Sequence, residues 1–285
     1  MKRSKKDKQH LPDPQTEEYI KKLTVTDPLR ESLLHRVITD LEISPGSRGL
    51  DAGCGIGSQC LLLAEAVQKN GQVTGLDINP AFLDYARLRV RSTGLSGRIN
   101  FKEGDIHALP FERESFDWLW SADCAGYREP NPLPLVQELI RVVKPGGFIA
   151  LLYYSSQMFF PGYPFLEAKL NAVFPRSTPF NSEMLPESHC LRTAGWFRSA
   201  GLVNIRSETF SRTLQSPLED NIRLGMLAMF EMLWEKNKNK LSGEDRKLYE
   251  HLTRPDSPGF ILNLPDYYGF FTYSLFQAER PASPE

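Results

Sequence analysis

The sequence predicts an α/β protein with a doubly wound, mostly parallel sheet of seven strands and helical insertions that form a lid. Three observations carry that expectation. Short apolar segments alternate with amphipathic ones, the pattern of strands covered by helices on both faces. A glycine-rich turn at residues 50–58 joins the first apolar segment to a helix. Asp51, Asp77, Asp105 and the loop at residues 121–124 all fall at the ends of apolar segments, where open parallel sheets bind their ligands.

The elements follow in order. Residues 15–41 place Leu33, Leu34, Val37, Ile38 and Leu41 on one helical face, closed by Ser44, Pro45 and Gly46. Residues 48–52 form a strand running into the glycine turn, and residues 60–68 a dense apolar helix stopped at Asn70 and Gly71. Residues 72–77 form a second strand. Pro80 then opens a helix whose buried side carries Leu83, Ala86 and Val90. Strands at 99–103 and 116–120 repeat the unit, and Val136, Leu139, Ile140 and Val143 stripe the next helix. A turn through Lys144, Pro145, Gly146 and Gly147 leads into residues 148–153, the most apolar strand.

From 155 to 190 the pattern gives way to aromatic residues and proline: Phe159, Phe160, Tyr163, Phe165, Phe174 and Phe180. A helix over 191–200 and a strand over 203–209 follow, then a long and a short helix over 217–252 and a last strand over 270–278. The expected organisation is a disordered basic tail over residues 1–14 and a single domain over 15–285. Within that domain, 155–190 and 217–265 are insertions over the ligand face.

A hydrophobic content of 41% with 24% charged residues is ordinary for a globular chain, and a formal net charge of -1 gives no general attraction to nucleic acid. The basic run Lys2, Arg3, Lys5, Lys6 and Lys8 reads as a solvated tail, because no apolar segment follows it to make a secretory signal. No stretch approaches the ~20 apolar residues that span a bilayer. Cys54, Cys60, Cys124 and Cys190 form no C-x-x-C pair, which predicts reduced thiols and a cytoplasmic location. The five histidines are dispersed, so no metal site is expected.

The glycine turn carries the chemistry. Gly53, Gly55 and Gly57 let the backbone approach a ligand where a Cβ would collide. Asp51 sets a carboxylate just before them, which repels phosphate and suits a ligand carrying positive charge. Asp77, twenty residues beyond Gly57 at the end of the second strand, is placed to accept from both hydroxyls of a ribose. A dinucleotide site would also want that carboxylate. Its fingerprint, however, is G-x-G-x-x-G with a helix N-terminus aimed at pyrophosphate, whereas here the third glycine comes one position early. The pattern favours a nucleoside without phosphates whose other end carries an amino acid and a sulfonium.

The run Leu-Asp-Ala-Gly-Cys-Gly-Ile-Gly resembles motif I of the class I S-adenosylmethionine (SAM) dependent methyltransferases. Gly-Leu-Asp-Ile-Asn-Pro, Glu-Gly-Asp-Ile and Phe-Asp-Trp-Leu-Trp-Ser resemble their second, third and fourth motifs, and Arg-Val-Val-Lys-Pro-Gly-Gly-Phe the turn into their fifth strand. The resemblance spans roughly residues 30–155 in order, resumes at 194–203 and in the final strand, and is greatest to the small-molecule branch that includes the ubiquinone/menaquinone-biosynthesis enzymes. It implies a Rossmann-like fold, SAM as cofactor, and methyl transfer by in-line displacement to a small, apolar or aromatic molecule.

The resemblance also implies roles. Gly53, Gly55, Gly57 and Asp51 would hold the methionine end, and Asp77 the ribose. Ile78 would pack on the adenine, Asp105 would accept from the adenine amino group, and Ile106 would donate through its backbone. Ser121 and Ala122 would line the pocket near the sulfonium. No acid–base dyad stands out in the sequence. If the acceptor must lose a proton, the candidate bases are His189, Asp123, Tyr153 and Tyr154; His107 reads as a surface-loop histidine. The aromatic residues after 155 read equally as an apolar acceptor pocket or as the core of a lid. Met226, Leu227, Phe230, Leu233 and Trp234 form one helical stripe, suited to packing or to a homodimer contact. Three alternatives share the cofactor motifs. They are a non-catalytic SAM-binding or regulatory protein, a nucleic-acid or protein methyltransferase, and an aminopropyl transferase. The last would need acidic groups to grip a polyamine, and the aromatic insertion argues against it.

Overall fold

The structure is a computed structural model that describes residues 13–127, 129–172 and 185–282. One seven-stranded sheet organises it, in the order β3-β2-β1-β4-β5-β7-β6. The strands are β1 (Arg48–Ala52), β2 (Gln72–Asp77), β3 (Ile99–Glu103), β4 (Phe116–Ala122), β5 (Val143–Met158), β6 (Val203–Gln215) and β7 (Tyr268–Glu279). β1 to β5 run parallel, and β7 inserts antiparallel between β5 and β6. The strand order reverses at β1, with β2 and β3 laid down on one side and β4 and β5 on the other, and this opens a crevice at the carboxyl ends of β1 and β4.

Helices cover both faces. α1 (Pro14–Asp40), α2 (Ser58–Ala66), α3 (Pro80–Arg91), α7 (Asp220–Leu233) and α8 (Gly243–Thr253) share one apolar core with Trp118, Trp120, Leu152 and Tyr154. α4 (Pro132–Val142) and α6 (Thr193–Ser199) share the other with Leu50, Leu119, Leu151 and Tyr153. A short helix, α5 (Pro164–Ala172), follows β5. Side chains of a strand alternate between faces, so neighbours such as Tyr153 and Tyr154 enter different cores.

Local chemistry explains where the helices begin. Asp13 caps α1 by accepting from the Gln15 and Thr16 amides, and Pro14 occupies its first turn. Residues 13 and 14 therefore belong to the helix and not to the tail; the basic residues 2–8 lie outside the described residues. Asn79 caps α3 by accepting from the Ala81 amide.

The C-terminal half departs from the sequence expectation in extent. β5 runs on through residues 154–158, paired with β7 as far as Met158 opposite Phe270, and β6 continues to Gln215. The segment read as the start of an insertion is thus sheet, because the antiparallel partner β7 satisfies its backbone as far as Met158. Phe159 and Phe160 are buried against Phe230 and Trp234, which makes them core. Met226, Phe230 and Trp234 likewise face inward, so the stripe on α7 is packing. Phe174 and Phe180 lie outside the described residues.

Candidate active site

One side of the crevice is built by the turn after β1. Gly53, Gly55 and Gly57 have φ of 84°, 52° and 75°, a region that side-chain-bearing residues rarely adopt. They serve different ends. A Cβ on Gly53 would lie 2.1 Å from the Cys124 sulfur and one on Gly57 2.8 Å from the Ala86 Cβ, while one on Gly55 would meet nothing within 4 Å. Two of the glycines therefore permit close packing of protein on protein, and Gly55 leaves open space for a ligand.

Asp77, at the end of β2, accepts the Gly55 amide at 2.8 Å on one carboxylate oxygen and the Asn79 amide at 2.9 Å on the other. The two amides fix the carboxylate beside the turn and leave each oxygen with lone-pair capacity for a further donor. Next to it Ile78 is 67% exposed, an apolar surface beside a fixed carboxylate. Asp51 is different in kind. It is 1% exposed and accepts from the Cys60 thiol at 3.1 Å. Burial pushes its carboxyl up to about 7, with the nearby Asp77 charge adding to the effect and the Cys60 bond opposing it. A positive group brought to the turn would favour the ionised form.

Asp105 stands half exposed after β3, where one of its oxygens accepts both the backbone amide and the Nδ1 of His107 at 2.9 Å. Those bonds hold its carboxyl below the usual range. His107 reaches Glu129 with its other nitrogen at 2.8 Å, and Glu129 and Asp105 together raise its basicity. Ile106 packs at the edge of the core shared with α4. Ser121 is fully engaged, its hydroxyl donating to the Ala52 carbonyl at 2.6 Å and accepting the Ala125 amide at 3.1 Å. It cross-links the ends of β1 and β4, with the partly buried Ala122 beside it.

Beyond the glycine turn, a cavity of about 400 Å³ opens between α1, α7, the loop after β4 and the paired residues Tyr154 and Tyr273 of β5 and β7. Asp123, Tyr127, Tyr154, Tyr273, Arg30 and Met229 are among its lining residues. Asp123 has a φ of 50° and sits just past β4. It accepts the Tyr154 amide at 2.8 Å and the Tyr273 hydroxyl at 2.9 Å. Burial raises its carboxyl, against the opposing pull of these bonds and of the Arg30 charge.

The four candidate bases therefore separate. Asp123 and Tyr154 line the cavity. Tyr153 faces the opposite core and donates to the Ala125 carbonyl at 2.8 Å, so it has no access there. His189 caps a short 3-10 turn by accepting the Leu191 amide, and it is not part of the cavity wall. Arg30, Tyr127 and Tyr273 had not been singled out from the sequence. Arg30 did leave a signal: it is a charge in register with Leu33, Leu34 and Val37 on the apolar face of α1. Among the described residues, no cluster of three or more His, Cys, Asp or Glu side chains could hold a metal ion.

The chain matches the family model described as a methyltransferase domain over residues 43–193, which contain the glycine turn, Asp77, Asp105 and Asp123. Among curated proteins it is 34% identical to methyltransferase GfsG of Streptomyces halstedii over 128 residues, which span 44% of this chain and 45% of that protein. It is 28% identical to demethylmenaquinone methyltransferase of Bacillus subtilis over 60% of this chain and 77% of that enzyme. Its fold is similar to that of a SAM-dependent methyltransferase from Aquifex aeolicus, with a TM-score of 0.53 at 16% identity, covering 91% of this chain and 97% of that one. The chain belongs to the methyltransferase-domain family.

Proposed function

We infer that this enzyme methylates a small molecule, apolar or aromatic in character, bound in the cavity between α1 and α7. The observation that carries the reading is the adjacency of that cavity to the donor turn: Cys124, which packs on Gly53, directly follows Asp123 in the cavity wall. Tyrosines 127, 154 and 273 with Met229 make the wall suited to a ring or an apolar body. The names of two relatives support the reading, one a demethylmenaquinone methyltransferase.

The cofactor roles follow the geometry. The open space at Gly55, the fixed carboxylate of Asp77 and the exposed Ile78 fit the methionine, ribose and adenine parts of SAM respectively. Asp51 would answer the amino group, Gly53 and Gly57 shape the turn, and Asp105 and the Ile106 backbone serve the adenine edge. Ser121 and Ala122 would form the floor, with the Ser121 hydroxyl acting through the β1–β4 cross-link. SAM supplies a methyl group on a positively charged sulfur, open to attack in line with the bond that breaks. The chain's own contribution is to hold the acceptor in attack geometry and to exclude water.

The four cysteines are free, which supports a reducing, cytoplasmic setting, and no helix among the described residues is long and apolar enough to cross a membrane. A homodimer is a further expectation, measured by sedimentation.

Calorimetry with SAM and S-adenosylhomocysteine, followed by a methyl-label transfer screen over quinols, phenols, amines and tRNA, tests the reading. Binding without transfer to any acceptor would favour a regulatory SAM-binding protein. Transfer to tRNA alone would favour a nucleic-acid enzyme.

A further inference from the structure

Two buried polar groups at the cavity have no hydrogen-bond partner among the described residues: Nε of Arg30 and the hydroxyl of Tyr154. Tyr154 is 5% exposed, and Arg30 is held by Asp27 at 3.0 Å through a terminal nitrogen and bonds Tyr273 as well, which leaves its Nε unmatched. Unpaired buried donors are costly and uncommon, so two of them at one cavity mark a place where an oxygen-bearing ligand is received. Between them stands the Tyr273–Asp123 hydrogen bond at 2.9 Å, with the Arg30 guanidinium beside Tyr273.

The geometry points to an acceptor with an acidic hydroxyl on an aromatic or conjugated ring, which Arg30 and Tyr154 receive and from which Asp123 takes the proton through Tyr273. This rests on the methyl-transfer reading and names its substrate class. Charge decides among the nucleophiles. A protonated amine would meet the Arg30 guanidinium at the inner end of the cavity, while farther along Lys22 is offset by Glu231 at 3.1 Å. A carboxylate is already ionised at neutral pH and gives a base nothing to do. A phenol or enol needs both a base and a counter-ion, and both are present.

In the balanced step the acceptor oxygen gains the methyl carbon while the donor's carbon–sulfur bond breaks and its electron pair stays on sulfur. The hydroxyl proton passes to the Tyr273 oxygen as the Tyr273 proton passes to Asp123. Arg30 keeps its charge throughout. Burial works against that charge, but Tyr273, Asp27 and Asp123 outweigh it and hold the guanidinium protonated. Burial and the Asp123 charge keep Tyr273 from ionising by itself, which suits a relay. The groups facing Asp123 are Arg30 from α1, Tyr154 from β5 and Tyr273 from β7, with Tyr153, Cys124 and Cys190 behind it, all five phenols and thiols among these held neutral by burial. Asp123 accepts a proton only when ionised, so turnover of a weakly acidic phenol should rise with pH through its elevated range and then level.

The test has two arms. In the first, 4-nitrophenol is titrated into the enzyme saturated with S-adenosylhomocysteine and its phenolate absorbance is followed with pH. The bound probe should ionise at least about one pH unit lower than in water, and Arg30→Gln should remove the shift. A probe that binds only as the neutral phenol, or not at all, overturns the proposal without any turnover being needed. In the second arm, a series of para-substituted phenols of graded acidity is methylated with labelled SAM. Tyr273→Phe should lower kcat about 100-fold on the weakest acids and progressively less on phenols already ionised, leaving KM for SAM unchanged. An equal loss across the series would mark Tyr273 as structural and overturn the relay. If SAM binds and only amines or thiols are methylated, the acceptor class falls while the methyltransferase reading stands. If SAM does not bind, that reading falls first.

Discussion

Three consecutive turns after β1, β2 and β3 supply the proposed donor side of the crevice, whereas the proposed acceptor cavity draws on α1, α7, the loop after β4 and the interior of β5 and β7. The donor side works through backbone amides, one fixed carboxylate and the room left by Gly55. The acceptor side works through side chains, whose positions depend on an aromatic core of Phe159, Phe160, Phe230 and Trp234 behind α7. A site made of backbone is held by the sheet itself. A site made of side chains is only as well placed as the packing that supports it, and the two halves should fail differently.

The largest expected effect is on the acceptor side. Phe230, 2% exposed and stacked on Phe160 at 5.3 Å, should cost ~3–5 kcal/mol of stability as Phe230→Ala. Denaturant unfolding measures it, and SAM affinity of the folded fraction should be unchanged. Loss of SAM binding at full folding would erase the distinction between the halves.

The next concerns Asp51 on the donor side. The folded protein holds this proton more tightly than the unfolded chain, with a value of about 7 against 3.8. Its contribution to stability is therefore complete below about 4 and is lost as pH rises through about 7, on the order of a few kcal/mol. Melting curves of the ligand-free enzyme should show this slope, and Asp51→Asn should flatten it. A parallel slope in the variant would place the effect elsewhere.

Asp77→Ala should weaken both SAM and S-adenosylhomocysteine by ~1.5–3 kcal/mol, the scale of hydrogen bonds to a charged group. Calorimetry giving unchanged affinity would remove Asp77 from the cofactor site. Ile78→Ala is the smallest and the sharpest. At 67% exposure it should move the melting stability by no more than about 0.5 kcal/mol, yet cost ~1 kcal/mol of SAM affinity if the side chain covers the adenine. Equal effects on both would show that Ile78 supports the turn and does not touch the ligand.

How much of this was legible depends on whether the information was local. Asp77 could be placed from its distance to the glycines, because strand length and turn geometry hold that spacing. The base candidates could not be ranked. Tyr153 and Tyr154 look equivalent as neighbours, and strand periodicity says only that they face opposite ways. That α1 and α7 cover the Tyr154 side is a fact of tertiary packing, and it is what points the proposal to that face. Ser121 was read as pocket lining; its hydroxyl donates across the strands to Ala52 and accepts from Ala125 in the following loop, and the first of these contacts no local pattern records. Asp123 was visible only as a polar residue in a loop, because its partners Arg30 and Tyr273 lie at opposite ends of the chain.

The sequence by itself determined the alternating α/β architecture, the glycine turn and the carboxylates at the strand ends. Each of these depends on residues within one βα unit, where backbone geometry leaves few options. The tertiary structure alone decided the cavity proposed for the acceptor. Its walls bring residue 30 beside residue 273, and such a contact follows from how the antiparallel β7 and the helices α1 and α7 pack, which no short-range pattern records.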